Sequence, residues 1–215
     1  MPAFQESERM SELVGAILGD GNIYDKRPSY VELCGNPVAD AHYFTHVLIP
    51  IVSRETGKNP KLFVRDLGLR FRINSKSFVE WLKIKGIPAG EAKGMAKAPE
   101  FIVSNRKLMI ACVRGVHDTD GSVYFDRRQA YAMPYPRIEL HMKNIDLVKQ
   151  ISGFFDDVGI VHSYVRTKNS IETAGVDALG KFLARVGFSN AHHVNRIARY
   201  YPNLARRNCC PTSLV

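Results

Sequence analysis

The chain has 215 residues, 45% of them apolar, enough for one good core or two small ones and too many for a disordered tail. Its 30 Lys and Arg against 21 Asp and Glu give a formal net charge of +9, which points to a polyanionic partner and first to nucleic acid. The start MPAFQESERM lacks the basic and apolar regions of a signal peptide, no apolar run reaches membrane-spanning length, and Cys34, Cys112, Cys209 and Cys210 form no C-x-x-C pair, so an intracellular protein with incidental thiols and no membrane partner is expected.

Element by element, the chain runs twice through one pattern. Residues 13–21 read LVGAILGDG and residues 113–121 read VRGVHDTDG, each a small-residue helical run ahead of an Asp-Gly pair. A short alternating strand follows, NIY at 22–24 and SVYF at 122–125, then a charged turn, DKRP at 25–28 and DRRQAYAMPYP at 126–136. YVELC at 30–34 and RIELH at 137–141 share a Glu between apolar neighbours, and amphipathic helices at roughly 38–56 and 144–158 are closed by Gly57 and Gly159. Second hairpins span 61–74 and 162–174, with Phe63 set against Tyr164, and third helices end in SFVEWLKIKG (77–86) and ALGKFLARVG (178–187).

Each half therefore reads helix, hairpin, helix, hairpin, helix. The expected fold is α+β, with two pseudo-symmetric αββαββα halves at 8–91 and 105–202, a Gly, Pro and Lys-bearing linker at 92–104, and a tail at 203–215 without periodicity.

Side chains alternate faces along a strand, so Val31, Leu33, Ile138, Leu140, Phe71 and Ile73 are expected on the core side. The other face then carries Tyr24, Tyr30, Glu32, Lys61, Arg65, Arg70, Arg72 and Asn74 in the first half. In the second it carries Tyr124, Arg137, Glu139, His141, His162, Tyr164, Arg166 and Lys168. A solvated antiparallel face explains any one such strand. Recurrence in both halves favours two ribbons that read base edges in duplex DNA, with Lys26, Arg27, Arg127 and Arg128 in the turns as phosphate contacts.

In the opening motif Gly15 and Gly19 stand four apart on one helical face, and Gly115 and Thr119 repeat the spacing. Small residues there allow two helix backbones to meet, a gain that offsets the roughly 1 kcal/mol cost of each helical glycine. If the copies pair about a local two-fold axis, Asp20 and Asp120 converge at the helix ends. Two carboxylates so close need a proton or a cation between them; Mg²⁺ or a similar divalent ion such as Mn²⁺ suits hard oxygen ligands and phosphodiester hydrolysis.

With these motifs the sequence resembles the LAGLIDADG homing endonucleases in their monomeric two-repeat form, over about residues 8–202. The resemblance implies antiparallel saddle-shaped sheets astride DNA and the two motif helices at the central interface. It also implies Mg²⁺-dependent cleavage of both strands of a long asymmetric site with short 3′ overhangs, by a protein encoded in an intron or intein. The family's metal-binding acids fall on Asp20 and Asp120, with Gly19 and Thr119 lending backbone carbonyls. A basic residue after each third helix is implied near the scissile phosphate: Lys93, then Lys97, in the first half, and His193, then His192 and Arg196, in the second, where the alignment is poorer. The family's acid two residues before the metal ligand is Asp118 in the second copy and Leu18 in the first, and Asp118 is read as a fold or solvent contact. His117 is expected as a buried, hydrogen-bonded helix residue. An RNA maturase that binds intron RNA and a DNA-binding regulator without nuclease activity are the alternatives.

Overall fold

The computed structural model describes residues 4–127 and 133–209, so Arg128 and Cys210 lie outside the described residues. The first half runs through α1 (Glu8–Leu18), β1 (Gly21–Tyr24), β2 (Tyr30–Gly35), α2 (Ala41–Tyr43), a π-helical turn (Phe44–Leu48), α3 (Ile49–Thr56), β3 (Lys61–Arg65), β4 (Gly68–Asn74) and α4 (Lys76–Ile84). Pro50 cannot donate to the carbonyl four residues back, and the π-helical turn lies over that break. The segment expected as a bare linker winds into a 3-10 turn (Gly90–Met95) and α5 (Glu100–Val103). The second half repeats the order with α6 (Arg106–Thr119), β5 (Gly121–Asp126), β6 (Tyr135–His141), α7 (Ile145–Asp157), β7 (Ser163–Val165), β8 (Ser170–Ala174) and α8 (Val176–Arg185), followed by α9 (Ala191–Ala198) and α10 (Pro202–Ala205).

Each half holds one four-stranded antiparallel sheet, ordered β1-β2-β4-β3 and β5-β6-β8-β7. The apolar positions of the strands form the core face: Ile23, Val31, Leu33, Phe71 and Ile73 in the first sheet, Val123, Ile138, Leu140 and Ile171 in the second, all buried. No helix among the described residues is long and apolar enough to cross a membrane.

Loop length sets a register difference between the halves. A two-residue turn, Asp66-Leu67, joins β3 to β4 with Arg65 opposite Gly68, whereas four residues, 166–169, join β7 to β8 with Val165 opposite Ser170. Tyr164 consequently pairs with the buried Ile171 and packs on the core side, where Leu62 sits opposite Phe71 in the first half. The expectation that Tyr164 aligns with Phe63 and lies on the polar face is thus corrected, since a one-residue slip turns a strand's side chains over. His162 is corrected with it: its ring lies against Phe155 at 5.4 Å and its nitrogens meet Ser152 Oγ at 2.7 Å and the Ile160 carbonyl at 3.0 Å.

The tail, expected to be peripheral, is docked as far as it is described. Asn208 accepts from the Phe188 N–H and donates to the Phe188 carbonyl, both at 2.8 Å, and the Cys209 N–H donates to the Leu183 carbonyl at 2.9 Å. Phe125, on the core side of β5, packs against Tyr200 at 4.7 Å.

The halves join through α1 and α6. Ser7 caps the first by accepting from the Met10 N–H, Asn105 caps the second by accepting from the Lys107 N–H, and both helices are buried almost throughout. A Cβ built on Gly15 would overlap the carbonyl oxygen of Cys112, and one on Gly115 would overlap the carbonyl of Glu12, so the glycines mark where backbone meets backbone. Each therefore faces a residue three positions away from its own counterpart. Gly15→Ala or Gly115→Ala is expected to cost about 3 kcal/mol or more, the upper end of the overpacking range, because no rotamer change can relieve a backbone clash. Chemical denaturation of either variant measures it; a loss below about 1 kcal/mol would contradict so close a contact.

Candidate functional site

Both motif helices run directly into the first strand of their sheet. The Gly19 N–H bonds back to the Gly15 carbonyl at 3.0 Å, and the Asp120 N–H to the Val116 carbonyl at 2.9 Å. The next residues, Gly21 and Gly121, begin β1 and β5 directly against the last helical turn; a Cβ on either would overlap the carbonyl of Ile17 or His117. In each Asp-Gly pair, then, the glycine lets the chain fold back over its helix while the aspartate stays at the helix end.

The two carboxylates come together across the helix pair. Asp20 keeps one side open to solvent and Asp120 is half-buried, and among the described residues Asp120 Oδ2 is buried with no hydrogen-bond partner. Burial, then the charges of Asp120 and Asp40, push the Asp20 carboxyl up to about 7, against the pull of Lys93. Burial likewise pushes Asp120 up to about 6, with Lys93 and His141 opposing. Lys93, on the 3-10 turn, donates its ammonium to the Gly19 carbonyl at 2.5 Å; burial lowers its pKa while Asp120 and Asp20 raise it. Thr119 turns back on its own helix, its Oγ1 donating to the Gly115 and Val116 carbonyls at 3.1 Å.

The second half supplies no matching cation through His193. That side chain is buried against Phe188 at 4.8 Å, and burial drives its pKa down to about 3, so the ring is neutral. Asn190 is the neutral second-half residue that reaches Asp40. Its amide donates to the Asp118 carbonyl at 3.2 Å and to Asp40 Oδ1 at 3.0 Å. Asp40 and Asn190 are the site residues the sequence reading missed, and both were disguised as helix caps. Asn190 does cap α9 through the His192 N–H, but Asp40, at the start of α2, makes no capping bond, and its second oxygen accepts from the Asn36 N–H at 2.6 Å.

Beneath the site lies a buried polar layer. Asp118 accepts from the Ser189 and Asn190 N–H groups, both at 3.0 Å, and is a fold contact as expected. Arg114 donates to Glu12 at 3.3 Å across the helix pair and to the Val186 carbonyl at 2.8 Å. His117 bonds the Val113 carbonyl at 2.9 Å, and burial lowers its pKa to about 4.

The polar sheet faces differ in charge. In the first half Lys61, Arg65 and Arg70 face outward, and Arg70 Nε is buried without a hydrogen-bond partner. Arg72 is already paired with Glu32 at 2.6 Å and lies 4.3 Å over Tyr30, which stacks on Tyr24 at 5.0 Å. Asn74, Lys26 and Arg27 are exposed at strand ends and the β1–β2 turn. In the second half Arg137 is held by Glu172 and by Asp126 at 3.7 Å, and the Tyr124 hydroxyl donates to Glu172 at 2.8 Å. Glu139 lies directly opposite Glu172. That face holds three carboxylates against Arg137 and His141, so the expectation of a mostly basic ribbon fails there. Of the second-half cations expected to meet DNA, the exposed ones among the described residues flank the sheet: Arg166 and Lys168 in the β7–β8 turn, and Arg127 beside the Tyr200 hydroxyl.

No family model matches the chain. An uncharacterized protein of Methanocaldococcus jannaschii is 20% identical over 186 residues, covering 79% of this chain; the chain spans 61% of that relative's length. Among solved structures, I-DmoI in complex with DNA and Mn superposes with a TM-score of 0.58 at 15% identity, over 85% of this chain and 97% of that one. The N-terminal LAGLIDADG domain of WhiA gives 0.55 at 14% identity, over 92% and 90%. These superpositions, with two four-stranded antiparallel sheets joined through a glycine-paired helix interface in this chain, show that it has the LAGLIDADG fold.

Proposed function

We propose that the chain is a divalent-cation-dependent endonuclease acting on duplex DNA. The carrying observation is the convergence of Asp20 and Asp120 at the ends of α1 and α6, with an Asp120 oxygen that no group among the described residues satisfies. A fold shared with I-DmoI assigns no activity by itself, so the site has to carry the proposal.

The donors fit a hard cation. Among the described residues no group of three or more His, Cys, Asp or Glu side chains is gathered for a metal, so Asp20 and Asp120 would hold the ion with water, phosphate oxygens and the Gly19 and Thr119 carbonyls completing its shell. I-DmoI itself has been solved with DNA and Mn, with Ca, and, as a variant, in the presence of Mg. Such a cation supplies Lewis-acid stabilisation of charge developing on the phosphate. Lys93, bonded to the Gly19 carbonyl, would set a second positive charge beside the same point. Asp40, tied to the other half by Asn190, presses on Asp20 electrostatically and keeps it ready for a cation. Site-specific double-strand cleavage by an intron- or intein-encoded protein is the finer form of the proposal. The buried, neutral His193 at the position expected to supply a second cation favours one alternative, DNA binding without cleavage.

The test is incubation of a plasmid bearing the uninterrupted host-gene junction with Mg²⁺. Linear product supports the nuclease; a stable complex with intact plasmid supports the alternative.

A pH effect follows from the raised carboxylates. Their protonated forms stabilise the fold below the ordinary carboxylate range, and that contribution is lost as pH rises through about 6 and about 7. In EDTA the melting temperature is expected to fall across this window, and saturating Mn²⁺ is expected to remove that part of the fall by taking the place of the protons. Equal slopes with and without Mn²⁺ would count against cation sharing.

A further inference from the structure

The β3–β4 hairpin ends in a turn whose two residues both take left-handed conformations, Asp66 at φ 50° and Leu67 at φ 61°. Asn-Gly or Asp-Gly is the favoured pair there, because a branched side chain is strained at positive φ. Elsewhere among the described residues the chain fills such positions with glycine, and in the matching β7–β8 turn with Asn169. Leu67 is the one apolar exception among them, and it is 92% exposed, so neither backbone preference nor burial accounts for it. Strain of this kind is retained where a side chain is needed.

Its surroundings indicate the partner. The tip closes the strand pair that carries Lys61, Arg65 and Arg70, cations suited to phosphates. One exposed leucine offers far too little area to anchor a protein partner, but it matches the apolar feature that duplex DNA presents in its major groove, the thymine methyl. We propose that Leu67 is a specificity-determining residue that takes a thymine methyl near the outer end of the first half's footprint. The inference rests on the DNA-binding reading above.

The experiment compares wild type with Leu67→Gly, each used to enrich binding sites from a random duplex library. The variant should melt about 2–4 °C higher, because the turn is relieved, and should lose a thymine preference at one outer position while keeping the rest of the motif. Replacing that thymine by uracil, which removes only the methyl, should weaken wild type about fourfold and leave the variant unchanged. A variant no more stable than wild type, or one that selects the same motif with the same uracil effect, overturns the assignment of Leu67 while leaving DNA binding intact. A wild type that enriches no duplex overturns both.

Discussion

Asp20→Asn and Asp120→Asn are each expected to lower DNA cleavage by roughly 10³-fold or more, about 4 kcal/mol of transition-state stabilisation, while DNA binding is kept. Either amide leaves one carboxylate where two are needed to hold the cation. The same variants should melt higher than wild type in metal-free buffer at pH above about 7, because each removes an ionised carboxylate from a site that raises both pKa values. The combination separates loss of chemistry from loss of fold. Unchanged cleavage by either variant would remove Asp20 and Asp120 from the mechanism.

The second large effect concerns where affinity comes from. Phosphate contacts release counterions, so each cation lost should reduce the salt slope of binding by about 0.9, and the triple variant Lys61→Ala, Arg65→Ala, Arg70→Ala by about 2.7. Arg137→Ala should change the slope little, because Glu172 and Asp126 already neutralise that guanidinium. Fluorescence anisotropy of a labelled duplex across a salt series measures both. Similar slopes for the triple variant and wild type would show that the first sheet does not anchor the DNA.

The element order was legible because it is local: apolar periodicity, the closing glycines and turn residues act over a few positions. Asp20 and Asp120 were legible because duplication displays them twice. What escaped depends on distance or on loop length. Asp40 and Asn190 reach the site as single polar residues at helix starts, with no spacing to mark them. Tyr164 and His162 changed face because the second hairpin closes over four residues, and His193 became a buried neutral ring because α9 lays it on Phe188. The acidic character of the second sheet came from Glu172 standing where the first half has Arg72, a difference whose meaning depends on the cross-strand partners.

The Glu12–Arg114 contact has a consequence for ancestry. Under the two-fold relation of the halves its mirror image would pair residue 112 with residue 14, and those are Cys112 and Val14, both buried and apolar. One side of the seam carries an ion pair and the other carries none. A first half docked on a copy of itself would bury Glu12 against Val14 without a cation. Leaving one member of a buried pair uncompensated costs about 3–5 kcal/mol, and such a homodimer would incur it twice. A unit with the first half's sequence is therefore not complementary to itself at this seam: Glu12 finds its cation in the other half, which favours an asymmetric pairing of the two.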